Sequence, residues 1–222
     1  VLAGWSGRDD LAGWLLDDCP PPATRREFPH PLQSLRQVLA DRRIVAVSGV
    51  EAAQYLVFGA VEAFLALYAH HLGIPAWQIG LLLGAQLVSI VFAKPLMGKL
   101  SDRIGRVRVI VPGLVIGAAS VAGFAVADSL IPLTLLSLAF GVGFATVTSS
   151  TAALVADLTR NGEFGASIGV LRTVMDIGQS IGPVLAGALV AASGYGSAFL
   201  VLAAILAAAT VMLQGLAKPY GA

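Results

Sequence analysis

The chain has 222 residues, 57% of them hydrophobic and only 12% charged, and its mean hydropathy is +0.83. Soluble globular chains carry about 25% charged residues, so this composition excludes a soluble domain and calls for a lipid bilayer. A net charge of +1 with scattered basic residues excludes a phosphate-tracking nucleic-acid surface, and the single Cys19 excludes an internal disulfide framework.

The first element in chain order is a polar leader, residues 1–43. Its stretch CPPPATRREFPHP, 19–31, reads as an extended Pro-rich linker. The stretch LQSLRQVLADRR, 32–43, sets Leu32, Leu35, Val38 and Leu39 on one helical stripe suited to a membrane face. Arg8, Asp9, Asp10, Asp17 and Asp18 interrupt the short apolar pieces at the start, so no secretory signal is read there, and the leader is expected to continue an upstream segment.

Six apolar segments follow, roughly 44–72, 76–97, 107–127, 131–156, 164–192 and 196–216, and a short tail, 217–222, ends the chain. Each segment reaches the ~20 residues that cross ~30 Å of hydrocarbon. They are expected to be helices, because lipid satisfies no backbone hydrogen bond and no ten-residue barrel alternation is present. Gly73 and Pro75, Asp128 and Pro132, Asn161 and Gly162, and Gly194 and Gly196 mark turns. The expected fold is therefore an all-α membrane domain of six helices over 44–216.

Cations set the orientation. All 14 Lys and Arg fall in the leader, around the 98–106 turn (Lys94, Lys99, Arg103, Arg106, Arg108), around the 157–163 turn (Arg160, Arg172) or in the tail (Lys218). The turns at 73–75, 128–130 and 193–195 carry none. The positive-inside rule then puts both termini on the cytoplasmic side of the plasma (inner) membrane.

One turn carries more than topology. In GKLSDRIGR, 98–106, Gly98 is expected to let the second helix approach a neighbour, Gly105 to permit sharp re-entry into the third, and Asp102 with Arg103 and Arg106 to form charge-assisted bonds. A bare anchor loop would explain the arginines but not Asp102 or the two glycines. This GxxxDRxGR pattern resembles the signature of the major facilitator superfamily, and the resemblance extends over residues 44–216.

The resemblance implies a secondary transporter built of two six-helix halves, each made of two inverted three-helix repeats, that works by alternating access around a midplane site. This chain holds one half. The fourth segment, LTLLSLAFGVGFATVTSSTAALVADL, lacks a membrane Arg, and the leader resembles the loop between halves, so the C-terminal half is expected and the N-terminal half is its missing partner. On the fifth segment Gly178, Gly182, Pro183 and Gly187 resemble a GxxxGP motif of drug/proton antiporters. The same residues also read as a plain helix-contact stripe with a bend, because Pro183 frees the Gln179 carbonyl as Pro95 frees that of Val91. Gly80 and Gly84 offer a similar pair on the second segment.

Polar groups inside the segments are the candidate working parts. Glu51, Tyr55, Phe58 and Glu62 share a stripe about 60° wide on the first helix, and a membrane carboxylate costs at least ~2.5 kcal/mol unless it faces a cavity or a partner. Glu62 is the favoured proton- or cation-responsive group, with Glu51, Tyr55, Phe58 and Gln86 beside it; Thr146, Thr148 and Ser149 are further candidates. Arg172 and Asp176, one turn apart, are expected to pair, and with Asp157 to join the cytoplasmic gate.

The expected activity is proton-coupled efflux of small amphipathic organic solutes; uptake of a polar metabolite and a non-transporting scaffold are the alternatives. No GxSG, HExxH, CxxC or GxxxxGK[ST] motif occurs, and His70 and His71 read as interfacial residues, so an enzyme, a metal site and a cofactor are not expected.

Overall fold

The structure, a computed structural model, describes residues 42–158 and 164–217; the leader with its linker and most of its surface helix, and the tail from Lys218, lie outside the described residues. Five helical elements fill it: α1 (Arg42–His71), α2 (Ala76–Ile104), α3 (Arg106–Phe124), α4 (Leu130–Leu158) and α5 (Phe164–Ala217). No strand occurs among the described residues. All five are long and apolar enough to cross a membrane.

The count is five where the hydropathy pattern has six segments, because the last two are joined. Helix α5 runs for 54 residues, but Gly194 inside it has φ 82° and ψ 174°, outside the helical region. A 54-residue helix at ~1.5 Å per residue would be about 80 Å long, more than twice the hydrocarbon thickness. The break at Gly194 divides it into two arms, each long enough for one crossing.

Glycines with positive φ shape three turns. Gly73 (φ 78°) ends α1 in a Schellman arrangement, with its N–H on the His70 carbonyl at 2.9 Å and Ile74 N–H on the Ala69 carbonyl at 3.1 Å. Pro75 then opens α2 with extended backbone. Gly105 (φ 101°) separates α2 from α3 with a single residue, a conformation closed to side chains with a Cβ.

Helix α2 continues through Ile104, seven residues past the end of its apolar segment at 97. Hydropathy marks where the bilayer ends, whereas the backbone ladder continues as a charged extension until Gly105 stops it.

Small residues hold the helices together. A Cβ on Gly178 would stand 2.6 Å from the Ala52 carbonyl oxygen, and one on Gly182 would stand 2.1 Å from that of Leu56, so the first arm of α5 lies directly on the α1 backbone. On the α1 side, a Cβ on Gly59 would meet the Gln179 oxygen at 2.5 Å, the carbonyl that Pro183 leaves without its helical donor. Gly187 lies over the Phe64 ring, completing the stripe. Neither Pro183 nor Pro95 breaks its helix; Gly194 is the non-helical position within α5.

Helix α4 approaches α3 through Gly113 and Gly143 and approaches α2 through Gly141, which sits on Gln86, Ser89 and Ile90. The second arm of α5 closes the back through Leu206 on Gly117. Gly80, Gly84 and Gly98 would meet nothing within 4 Å. The close approach expected of Gly98 and of the Gly80 and Gly84 pair is therefore not made among the described residues. Helix α2 is also the least enclosed span, with 28% of its apolar window buried against 61% for α1. Trp77, Leu81, Val88, Val91 and Phe92 lie exposed along it.

Candidate functional site

At one end of the bundle the charged turn forms a compact knot. Arg106 donates through Nε to Asp157 Oδ2 at 3.0 Å and through Nη1 to Ser101 Oγ at 2.9 Å, and Nη1 also pairs with Asp102. One guanidinium thus ties the end of α2, the start of α3 and the end of α4. Asp102, Arg106 and Asp157 come together. Arg103 is exposed and Gly105 supplies the turn.

Arg172 and Asp176 do not join that knot. Both are exposed on the first arm of α5, and no ion pair links them among the described residues. Helix α5 lies against α1 with Gly178 beside Ala52, which carries the two charges along Tyr55, whose hydroxyl feels Glu51, Arg172 and Asp176 electrostatically. They lie with the α1 stripe rather than with the charged knot.

The α1 stripe itself is graded in exposure. Glu51 is fully buried, Tyr55 is half-buried, Phe58 is buried and Glu62 is exposed. Glu51 Oε2 accepts from Thr151 Oγ1 of α4, a hydroxyl that also lies 2.9 Å from the Val147 carbonyl. Among the described residues Glu51 Oε1, both polar atoms of Gln54, Ser48 Oγ and Ser150 Oγ are buried without a hydrogen-bond partner. Leaving a buried polar atom unpaired costs about 1–3 kcal/mol. Glu62 has no hydrogen bond or ion pair among the described residues.

Above Glu51 the aromatic side chains form a wall. Phe58 stacks on Phe144 with centroids 4.1 Å apart, Tyr55 meets Phe144 edge-on at 5.2 Å, and Phe140 continues the stack. Gln86 is buried between α2 and α4, with Oε1 unpaired. Thr146, Thr148 and Ser149 bond carbonyls of their own helix, as expected of hydroxyls in membrane helices.

Three participants escaped the sequence reading. Thr151 lies 100 residues from Glu51 in the chain. Gln54 lies one turn after Glu51 on the same helix, a proximity that spacing alone made visible. Lys94, counted with the charged turn, instead stands ten residues before the end of α2, over the Phe144 ring at 5.8 Å and within electrostatic reach of Glu51.

At the opposite end of the bundle, Tyr68 donates to the Ala127 carbonyl at 2.8 Å and packs with Tyr195 and Phe199. His71 stands against Tyr195 at 5.5 Å. This is the aromatic belt expected where a bundle meets an interface. Among the described residues no cluster of His, Cys, Asp and Glu is suited to a metal ion.

Similarity to known proteins agrees with this arrangement. The chain is 30% identical over 159 residues to a protein named multi-drug resistance efflux pump PmrA homolog from Lactococcus lactis, covering 70% of this chain and 39% of that protein. It is 27% identical over 133 residues to the quinolone resistance protein NorA of Staphylococcus aureus, covering 60% of this chain and 34% of that protein. The chain thus spans well under half the length of these curated relatives. The family description Major Facilitator Superfamily matches residues 47–220, from the first turns of α1 past the end of α5, and includes the charged knot, the glycine contacts and the buried Glu51: the chain belongs to the major facilitator superfamily.

Proposed function

We propose that the chain is the C-terminal half of a secondary active transporter that exports small amphipathic organic solutes in exchange for protons. The observation that carries this reading is the enclosed Glu51, set beneath an aromatic wall on a face built from α1, α2, α4 and the first arm of α5. The relatives' names, a multidrug efflux pump and a quinolone resistance protein, support export, and their greater length supports a second half beyond this chain.

Glu51 is the better proton carrier of the two stripe carboxylates. Glu62 is exposed and without a partner among the described residues, whereas Glu51 shares a hydroxyl with α4. Thr151 has one proton to donate. With Glu51 charged, that proton serves Glu51; with Glu51 protonated, the carboxyl donates to Thr151 and the hydroxyl proton serves the Val147 carbonyl. The two protonation states therefore reverse the direction of the single bond between α1 and α4 and switch the Thr151–Val147 bond within α4 on and off.

In this reading the Arg106 knot lies on the cytoplasmic side and latches it in one state. The orientation follows from the cations, and it is testable: single cysteines at Ser129 and Ser193 should react with an impermeant thiol reagent applied to intact cells, while one at Ser101 should not. Labelling at Ser101 would reverse the topology.

Transport is tested with the full-length protein in vesicles loaded with ethidium, a lipophilic cation. A pH gradient should drive ethidium across the membrane, and dissipating the gradient should stop it. Gradient-independent leakage equal to that of empty vesicles would leave a scaffold rather than a pump.

A further inference from the structure

Arg106 spends its guanidinium on Asp102 and Asp157, the two carboxylates of the charged knot. Three other cations of the same turn, Lys99, Arg103 and Arg108, are exposed and form no ion pair among the described residues. The knot therefore leaves positive charge on its outer side.

The two cations of α2 head an apolar stripe. Buried Ser101, which Arg106 bonds, marks the inward side of the helix. Lys99 and Arg103 lie about 160° around from it, Phe92 about 180° and Leu96 about 140°. Phe92 and Leu96 are 74% and 62% exposed, and Val88 and Leu81 carry the stripe on toward the other end of the helix. The outward face of α2 is thus apolar for about four turns and then ends in two cations.

Their depth matches a lipid headgroup. The apolar segment ends at 97, so Lys99 stands about 3 Å beyond it and Arg103 about 9 Å. The polar layer on each side of the hydrocarbon is about 5–7 Å thick, and the two long side chains bracket it. Arg108 adds a third cation from α3: its Cδ stands 4.0 Å from where a Cβ on Gly105 would be, so its stem lies against the one-residue turn. Below it Pro112, Val115 and Ala119 are exposed at spacings of four, seven and eleven residues, a second outward stripe headed by a cation.

We propose that this turn is a binding site for an anionic phospholipid, with the headgroup phosphate on Lys99, Arg103 and Arg108 and an acyl chain along Leu96, Phe92 and Val88. Phosphate oxygens accept charge-assisted bonds from ammonium and guanidinium groups. A soluble anion would satisfy the cations and leave the stripe bare, and a neutral lipid would cover the stripe and leave the cations unpaired. An anionic lipid does both. Ser101 and Asp102 lie between Lys99 and Arg103 in the chain, so the bound lipid also holds the stretch of α2 that Arg106 grips. The site stands whether or not the protein exports solutes.

The test is native mass spectrometry of the full-length protein in detergent, titrated with dioleoylphosphatidylglycerol or with dioleoylphosphatidylcholine. The wild-type protein should bind the anionic lipid more tightly. Combining Lys99→Gln, Arg103→Gln and Arg108→Gln should weaken that binding by about fivefold for each cation removed and leave the zwitterionic lipid unaffected. Lys99→Arg with Arg103→Lys, which keeps both charges, should bind as the wild type does. Equal affinity of the wild-type protein for the two lipids would overturn the proposal and leave this face to another protein surface. Equal losses for both lipids in the triple variant would overturn it as well, since the cations would then act on the fold and not on the headgroup. Displacement of the anionic lipid by an equal concentration of glycerophosphoglycerol, the same headgroup without chains, would reduce the turn to a free-anion site and overturn the lipid assignment.

Discussion

Gly182→Ala should destabilise the bundle more than any other single methyl group added to α5. The added Cβ would stand 2.1 Å from the Leu56 carbonyl oxygen and 2.9 Å from the Ala60 nitrogen, both backbone atoms of α1 that no rotamer change can move. Relief requires α1 and the first arm of α5 to separate, which also lifts Gly59 off the Gln179 carbonyl and Gly178 off Ala52. Overpacking of this kind costs about 1–3 kcal/mol, and here the upper end applies because the obstacle is backbone. In a membrane no hydrophobic gain compensates, since close packing is itself what joins the helices. The thermal unfolding midpoint of the purified full-length protein should fall by several degrees, while Gly215→Ala, where a Cβ would meet nothing within 4 Å, should leave it in place. Equal midpoints for both would mean that the glycine stripe does not carry the α1–α5 contact.

Glu51→Gln should abolish active transport and leave the fold intact. Gln fills the same volume at the buried position and can accept from Thr151, so the contact between α1 and α4 survives in one of its two forms. What it lacks is the exchange between forms, because an amide neither takes up nor releases a proton. Ethidium movement driven by a pH gradient should drop at least about tenfold, whereas ethidium exchange at equal pH on both sides, which needs no net proton movement, should persist. Glu62→Gln should reduce gradient-driven movement far less, because Glu62 is exposed and bonded to nothing among the described residues.

The fold was legible from the sequence wherever one local signal dominated. Long apolar runs gave the crossings. Gly73, Gly105 and Gly194, each now seen at positive φ, stood where turns were expected. The partnership of Asp102, Arg106 and Asp157 was legible because all three had to lie on one side of the bilayer. Signals that depend on neighbours were not legible. The end of α2 was misplaced because an apolar scale cannot see a helix continue into water. Glu51 and Glu62 share one stripe, and only the position of α4, 100 residues away in the chain, makes one enclosed and the other open. Gly98 has the motif position of a contact glycine, yet among the described residues no helix reaches it. Lys94 looked like part of a charged turn because spacing along a helix does not reveal which way a long side chain bends.

Exchange of the Glu51 proton against substrate is measured directly by proton release. The full-length protein in weakly buffered detergent, with a pH-indicating dye, is mixed with saturating ethidium. The wild-type protein should release protons as the cation binds, and Glu51→Gln, compared at matched ethidium occupancy, should release none. The same proton release from both proteins would contradict the account and move the coupling away from Glu51.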